Sequence, residues 1–154
     1  MNIELVRACV EDAEVIWQMQ LAAFAELLER YQDFDTNPGN ESLEKVQWRF
    51  SFPSTYFYLI QADGENAGAI RIIDRHDDSP RKISPLFILP QFQCKGIAQA
   101  AIREAERIHG CDNWCLDTIL QEKGNCHLYE KMGYRQTGET KVINERMTLV
   151  FYKK

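Results

Sequence analysis

Gln93-Cys94-Lys95-Gly96-Ile97-Ala98 is the stretch that decides the fold of this chain, because it separates an apolar strand from an amphipathic helix. The run Ile83–Leu89 before it predicts a strand that Pro90 closes. After it, apolar residues recur at three- and four-residue spacing and predict a helix from near Lys95 to Gly110. A strand that enters a helix through a glycine is typical of an α/β fold.

The start of this helix has the chemistry of an anion site. Gly96 lets the backbone approach a ligand closely, and the first N–H groups of a helix have no partner inside it. Those donors and the positive end of the helix dipole favour a pyrophosphate. A helix can begin this way without any ligand, so the hexapeptide alone leaves both alternatives open.

A second segment, Asn125-Cys126-His127-Leu128-Tyr129-Glu130-Lys131-Met132-Gly133-Tyr134, follows after one more predicted strand. Together, the strand-Gln-x-x-Gly-x-Ala-helix unit and Asn-x-x-Leu-Tyr-Glu-Lys-x-Gly-Tyr resemble the acetyl-CoA signature of the GNAT N-acetyltransferases. The matched segments run from Ile83 to Tyr134, about a third of the chain, and their order and separation also fit the family. The resemblance implies an acyltransferase that uses acetyl-CoA as co-substrate and needs no metal.

The rest of the sequence predicts a single domain over residues 1–154, an α/β chain with helices on both faces of a mixed sheet. The predicted order is β-α-α-β-β-β-α-β-α-β-β, which matches a GNAT-like fold, and the resemblance implies a splayed central strand pair. Beyond the two segments above, the predicted elements are strands at Ile3–Ala8, Tyr56–Ala62, Ala67–Asp74, Trp114–Leu120, Gln136–Val142 and Arg146–Tyr152, and helices at Asp12–Leu28 and Ser42–Phe50. A loop is predicted over residues 30–40, and the last hairpin is predicted to turn at Ile143-Asn144-Glu145.

Pro85 interrupts the predicted strand before the hexapeptide. Proline removes one ladder hydrogen bond, so this position predicts either a bulge or a solvent-facing edge strand. In the family that the chain resembles, the strand bulges here and opens a wedge for pantetheine. The amides of Leu86 and Ile88 would then bind an amide-rich ligand as another strand would.

The resemblance also implies the residues that hold acetyl-CoA. The implied pyrophosphate contacts are the backbone amides of Gln93, Cys94, Lys95, Gly96, Ile97 and Ala98, and the Lys95 ammonium adds a cation for a phosphate. Cys94 departs from the glycine or arginine that the family often has there. The backbone of Leu86, Phe87 and Ile88 would lie along the pantetheine, with the Leu86 N–H near the thioester carbonyl, and Asn125 would hydrogen-bond the same arm.

By the same resemblance, Tyr129 is the general acid that protonates the departing CoA thiolate. A phenol is protonated at neutral pH, which suits this role. Asn125 and Tyr129 are four residues apart and share one helix face. The alternative is a core tyrosine whose hydroxyl is satisfied by another residue. Gly133 is predicted to end the helix in a left-handed conformation.

The general base must come from elsewhere, because the strand around Pro85 carries no carboxylate. Asp117, inside an otherwise apolar strand, is the candidate base, although a structural hydrogen-bonded aspartate fits the pattern as well. Glu26, Glu29, Glu122 or an ordered water are the alternatives.

Two further features concern the acceptor. Arg71 either holds an anionic part of the substrate or is a surface arginine paired across strands. The loop after the first helix, with Tyr31, Phe34, Asp33 and Asp35, is either part of the acceptor pocket or a solvated loop.

Charge and composition narrow the function further. The net charge of −5 argues against nucleic acid as a partner. No apolar run approaches the ~20 residues that a membrane span needs, and the N-terminus has no basic segment followed by an apolar one. We therefore expect a cytoplasmic protein without a membrane partner, and a homodimer is left open. The five cysteines fit reduced thiols, and His109, Cys111, Cys115, Cys126 and His127 lack zinc-site spacing, so no metal is expected.

These observations predict an acetyl-CoA-dependent N-acetyltransferase that acts on a primary amine of a small molecule or a protein. The alternative is a non-catalytic acyl-CoA-binding sensor, which would keep the amide loop and lack an acceptor pocket. The sequence fixes neither the acceptor nor the length of the acyl group.

Overall fold

One mixed sheet of seven strands forms the centre of the computed structural model, which describes residues 1–154. In chain order the elements are β1 (Ile3–Arg7), α1 (Ala13–Tyr31), α2 (Leu43–Arg49), β2 (Thr55–Ala62), β3 (Glu65–Ile73), β4 (Arg81–Ile88), α3 (Ile97–His109), β5 (Trp114–Ile119), α4 (Lys123–Lys131), β6 (Arg135–Asn144) and β7 (Met147–Lys153). The strands lie in the order β1-β2-β3-β4-β5-β7-β6. All neighbours are antiparallel except β4 and β5. The predicted element order and fold class are confirmed.

Alternation along the central strands sends side chains into two separate cores. Tyr58 and Ile60 of β2 face α3 and α4, where they belong to a cluster that includes Ile102. Phe57 and Leu59 of the same strand face α1 and α2 in a second cluster. This is the period-2 pattern of a strand buried on both faces, and it explains why β2 and β3 are almost continuously apolar.

Several predicted boundaries were wrong, and local backbone geometry explains them. Helix α1 continues to Tyr31, into the predicted loop, and ends where Gln32 adopts a left-handed conformation (φ 56°). Helix α3 begins at Ile97 rather than near Lys95, because Cys94 and Gly96 have positive φ values that no helix contains. The last hairpin turns after Asn144, which pairs with Met147.

Pro85 lies in a β-bulge of a central strand. Ile70 pairs with Leu86 while Ile72 pairs with Ile83, so two residues of β4, Ser84 and Pro85, lie opposite one residue of β3. The bulge confirms one of the two predicted alternatives, and the solvent-facing edge strand is wrong, since β4 lies between β3 and β5. A bulge turns the strand and raises its twist, which prepares the separation of β4 from β5.

Candidate active site

Strands β4 and β5 separate almost as soon as they meet. Their parallel pairing covers only Arg81 with Trp114 and Lys82 with Cys115. Beyond this point the sheet opens into a cleft of about 690 Å³. Residues from α1, β4, the loop before α3, β5, α4 and β7 line the cleft. Among them are the predicted site residues Leu86, Phe87, Ile88, Gln93, Cys94, Gly96, Ile97, Ala98, Asp117, Asn125 and Tyr129.

The cleft edge of β4 carries backbone amides that no strand pairs with. The Leu89 N–H donates to the Ala67 carbonyl of β3. Since successive amides of a strand point to opposite edges, the N–H groups of Leu86 and Ile88 point away from β3 and into the cleft. The Gln93 side chain already donates to the Ile88 carbonyl on this edge at 3.0 Å. An amide-bearing ligand laid along β4 would therefore find hydrogen-bond donors in strand register.

The loop before α3 presents a run of free N–H groups. The Gln93 N–H donates to Pro90, and the next backbone donor in sequence with a partner is Ala100, which bonds the Gly96 carbonyl. No side chain caps the helix. The amides of residues 94–99 are thus available at the positive end of the helix dipole, where they suit a diphosphate.

Backbone conformation shapes this loop. Gly96 has φ 78°, and a Cβ built on it would have no atom within 4 Å, so the space beside it is open. Cys94 has φ 62° and is exposed, a backbone conformation that a glycine would adopt without strain. Lys95 does not line the cleft; its ammonium lies 5.9 Å from the centre of the Phe92 ring.

Tyr129 differs from the neighbouring tyrosines in its hydroxyl. The Tyr134 hydroxyl donates to Glu106 and the Tyr152 hydroxyl donates to Glu130. Tyr129 is 9% exposed and lines the cleft, but its hydroxyl makes no hydrogen bond within the protein. Burial raises the pKa of this hydroxyl, and the Asp117 carboxylate acts in the same direction. The phenol therefore keeps its proton and is free to donate it into the cleft.

Asn125 and Gly133 mark the two ends of α4. Asn125 is exposed and lines the cleft in the first turn of the helix. Gly133 follows the last turn with φ 93°, as predicted, and the Tyr134 N–H returns to the Tyr129 carbonyl at 3.0 Å. This closing turn fixes the end of the helix that carries Tyr129.

The carboxylates of the cleft include the candidate base. Asp117 of β5 is 30% exposed, and the Lys82 ammonium lies 3.6 Å from its carboxylate. Of the alternatives, Glu26 and Glu122 line the cleft, whereas Glu29 does not.

Glu122, between β5 and α4, forms hydrogen bonds with the end of α1. Sequence reasoning missed this contact. The Glu122 carboxylate accepts hydrogen bonds from the Tyr31 hydroxyl and, at 2.7 Å, from Arg30. On the other side, the Asn144 amide donates to the Tyr31 carbonyl at 2.9 Å. The contacts join residues about ninety to more than one hundred positions apart, so no local sequence pattern signals them.

The loop after α1 contributes one acidic residue to the cleft. Asp33 is buried, lines the cleft and accepts a hydrogen bond from the Thr36 N–H at 3.0 Å. Phe34 is 55% exposed and lies outside the lining, as does Asp35. One part of this loop therefore lines the cleft, and the other part is exposed to solvent.

Arg71 lies outside this cleft. Its side chain donates to the Ser84 carbonyl of the bulge at 2.5 Å and packs over Phe57, its cross-strand neighbour. Burial, with the nearby Arg49, lowers the pKa of Arg71 to about 10. Arg71 therefore lies beside a cross-strand neighbour, as one alternative predicted, but it is partly buried rather than on the surface.

The structure contains no group of three or more histidine, cysteine or acidic side chains placed to hold a metal ion, and all five cysteines are free. None of the helices is long and apolar enough to cross a membrane.

Comparison with known proteins places the cleft in context. A family model described as an acetyltransferase (GNAT) domain matches residues 53–136, more than half of the chain. A search of curated proteins finds no match.

Three solved structures illustrate the structural likeness. Spermidine N-acetyltransferase from Vibrio cholerae, solved with CoA and spermine, has a TM-score of 0.76 and 16% identity, over 97% of this chain and 93% of that one. PaiA N-acetyltransferase from Thermoplasma acidophilum, solved with coenzyme A, has a TM-score of 0.69 and 18% identity over the whole of both chains. An acetyltransferase from Thermus thermophilus has a TM-score of 0.72 and 16% identity, over 99% and 96% of the two chains. At these identities the likeness shows the fold.

Proposed function

Because the chain belongs to the GNAT acetyltransferase domain family, we propose that the cleft between β4 and β5 transfers an acetyl group from acetyl-CoA to a primary amine. The observation that carries the proposal is the single cleft that combines three features: the unpaired amides of β4, the free amides of residues 94–99 and the unbonded hydroxyl of Tyr129. Acetyl-CoA supplies the activated acyl group as a thioester.

The chain's own groups fit the parts of acetyl-CoA in order along the cleft. The N–H groups of residues 94–99 would hold the pyrophosphate, and Gly96 leaves open space where it would lie. The amides of Leu86 and Ile88 would bind the pantetheine arm, and Asn125 would hydrogen-bond the same arm from α4. The Leu86 N–H would also polarise the acyl carbonyl. Lys95 is proposed only as a cation near a phosphate, since its side chain does not line the cleft.

Tyr129 is proposed as the general acid. As the amine nitrogen bonds to the acyl carbon and the carbon–sulfur bond breaks, the hydroxyl donates its proton to the sulfur, which leaves as a thiol. The proton that the nitrogen loses on becoming an amide restores the phenol. The raised pKa of Tyr129 keeps the phenol protonated before this step, and no other protein group competes for its hydrogen. A tyrosine in a purely structural role would be expected to have a bonded hydroxyl, as Tyr134 and Tyr152 have.

Asp117 is proposed as the base that removes a proton from the incoming ammonium. It lines the cleft and is close enough to Tyr129 to affect that hydroxyl's pKa. Glu122 is the alternative, but its carboxylate already accepts hydrogen bonds from Tyr31 and Arg30, which makes it less available.

The acceptor is proposed to be a cationic amine of a small molecule or a protein. Four carboxylates line the cleft, those of Glu26, Asp33, Asp117 and Glu122, while Arg30 is the one arginine or lysine in the lining. This excess of negative charge favours an ammonium over an anionic acceptor.

We also propose a cytoplasmic protein with no nucleic-acid or membrane partner, supported by the five free cysteines and the net charge of −5. A homodimer is proposed on the edge strand β6, whose residues 135–142 are all exposed. Val142, at 71%, is the most exposed large apolar side chain of the chain. A molar mass from light scattering would test this part of the proposal.

The experiment is an amine panel assayed for release of the CoA thiol and for the acetylated product by mass spectrometry. Polyamines, amino acids, aminoglycosides, lysine peptides and free peptide N-termini make up the panel, and a reaction without amine measures hydrolysis. The proposal predicts at least one amine that yields product and thiol in equal amounts. Tight acetyl-CoA binding without acetylation of any amine would instead identify the acyl-CoA-binding sensor.

A further inference from the structure

A second concavity lies away from the cleft, between the end of α2 and the strands β2 and β3. It measures about 330 Å³ and shares no residue with the cleft. Its lining consists of Trp48, Arg49, Phe52, Ser54, Thr55, Arg71, Ile73 and Arg75. Three of these eight residues are arginines and none is acidic, so the groove is a pocket of concentrated positive charge.

Glu41 neutralises one of the three arginines, Arg49, but pairs with neither Arg71 nor Arg75. Glu41 forms a bidentate pair with Arg49 at 2.5 and 2.6 Å, and it also accepts a hydrogen bond from Gln20. It affects Arg71 only at a distance. Of the five N–H groups of Arg71, one donates to the Ser84 carbonyl, and no carboxylate lies within ion-pair distance. Arg75 forms no ion pair within 4 Å, and the exposed Asp77 interacts with it only at longer range and does not line the groove.

Arg71 has no ion-pair partner, and this matters because its guanidinium is partly buried. Burial and the neighbouring Arg49 together lower the pKa of Arg71 to about 10, so the guanidinium remains charged at neutral pH although it has lost much of its water. Buried charges are normally paired, and an arginine fork matches the geometry of a carboxylate or a phosphate. The guanidinium groups of Arg71 and Arg75 are therefore available to an oxyanion in the groove.

The remaining walls suit an apolar body. Trp48 is 58% exposed and Phe52 is 41% exposed, and their rings meet edge to face with centroids 4.7 Å apart. Ser54 and Thr55 add hydroxyl groups. The volume is at the lower end of the range for small-molecule sites, which favours a compact ligand over a segment of a protein.

We propose that this groove binds a small organic oxyanion, a carboxylate or a phosphate monoester on a flat apolar body. Arg71 and Arg75 bind the oxyanion, and Trp48 and Phe52 contact the ring. The site is separate from the acetyl-transfer cleft and does not depend on the function proposed for it.

The test is calorimetric titration of the full chain at constant ionic strength with phenyl phosphate, phenylacetate, inorganic phosphate and the uncharged control benzyl alcohol. We expect saturable binding of at least one aromatic anion, weaker binding of inorganic phosphate and none of benzyl alcohol. Arg75→Gln, at an exposed position, should weaken binding about tenfold, as loss of a charge-assisted hydrogen bond predicts. Arg103→Gln, at an exposed position of α3 outside both concavities, removes the same charge elsewhere and should change the affinity less than about twofold, since a distant surface charge is screened by salt.

Two further variants keep the test independent of folding defects and of the cleft. Arg71→Gln should abolish binding but could disturb the bulge at Ser84, so Trp48→Ala is measured beside it and should remove the preference for aromatic anions over inorganic phosphate. Gly96→Asp, which blocks the proposed pyrophosphate site, should leave binding unchanged. Binding that Gly96→Asp removes and Arg75→Gln does not would place the anion in the cleft and overturn the proposal, as would the absence of saturable binding to either aromatic anion.

Discussion

Replacing Tyr129 by phenylalanine removes the proposed proton donor but keeps the packing of the ring. It therefore distinguishes a catalytic role of the hydroxyl from a structural one. The hydroxyl makes no hydrogen bond within the protein, and the ring would keep its place between Tyr134 and Tyr152. We therefore expect the free energy of unfolding to change by less than about 0.5 kcal/mol. If the hydroxyl protonates the thiolate, kcat should fall about 10²- to 10³-fold, within the usual contribution of a general acid. That loss corresponds to roughly 2.7–4.1 kcal/mol of transition-state stabilisation.

Tyr134→Phe is the matched control, because it removes the same atom from a neighbouring buried tyrosine. The Tyr134 hydroxyl donates to Glu106 at 3.1 Å, so its loss should cost about 1–2 kcal/mol of stability. For a domain of this size that is a decrease in Tm of about 2–8 °C. Its kcat should stay near the wild-type value, since Tyr134 does not line the cleft.

The assay measures kcat, the acetyl-CoA Kd and Tm on the wild type and both variants. The expected pattern for Tyr129→Phe is a low kcat with unchanged Kd and Tm, which marks an interaction made only in the transition state. An unimpaired kcat would remove Tyr129 from the mechanism. A Tm that falls as far as that of Tyr134→Phe would mean that the hydroxyl has a structural partner.

Three further predictions concern Asp117, Glu41 and the absence of a metal requirement. Asp117→Asn should lower kcat by about 10²–10⁴ with little change in acetyl-CoA affinity, and an unchanged kcat would exclude Asp117 as the base. Glu41→Gln should destabilise the fold by about 3 kcal/mol in urea melts at pH 7, because it leaves the buried Arg49 without its carboxylate. Burial raises the pKa of Glu41, but its bonds to Arg49 and Gln20 outweigh burial and lower the pKa overall. Its stabilising effect is therefore present at neutral pH and lost as the pH falls below about 4.3, and an equal gap between wild type and Glu41→Gln at pH 7 and pH 3 would contradict this assignment. Prolonged treatment with a chelator should leave both Tm and turnover unchanged. Stoichiometric zinc in untagged protein would contradict this prediction and make the cysteine and histidine residues candidate zinc ligands.

Local sequence signals predicted most of the fold. The hexapeptide around Gly96 combines a strand end, a glycine and an amphipathic helix, and each signal depends on residues within one or two turns of it. Pro85 limits its strand to a bulge or an edge for the same reason, because a missing N–H acts where the proline is, and the pairing of β4 with β3 decides for the bulge. The boundary errors also have local causes: positive φ values at Gln32 and Cys94, which ordinary residues adopt rarely and which sequence patterns do not signal.

The parts of the cleft that sequence reasoning missed depend on tertiary contacts. In the sequence Glu122 is one of several alternative bases, and only the fold brings it to Tyr31 and Arg30. Outside the cleft, the charge of Arg71 could be read from the sequence, but its burial and its contact with Ser84 follow from the register of β3 against β4. Lys95 is a case in which the sequence predicts a contact that the fold does not favour. It belongs to the predicted pyrophosphate loop, but its side chain does not line the cleft.

Thermal denaturation with acetyl-CoA tests the central claim most directly, namely that the amides of residues 94–99 hold this co-substrate. At one hundred times Kd the ligand contributes about 2.7 kcal/mol, which should raise the wild-type Tm by roughly 5–10 °C. Gly96→Asp should abolish the shift, because it places a negative charge beside the pyrophosphate. Gly64→Asp is the matched control: Gly64 also has a positive φ and open space around its Cβ position, but it lies in the β2–β3 turn, so its shift should equal that of the wild type. No shift in the wild type at millimolar acetyl-CoA, or an equal shift in Gly96→Asp, would contradict the account.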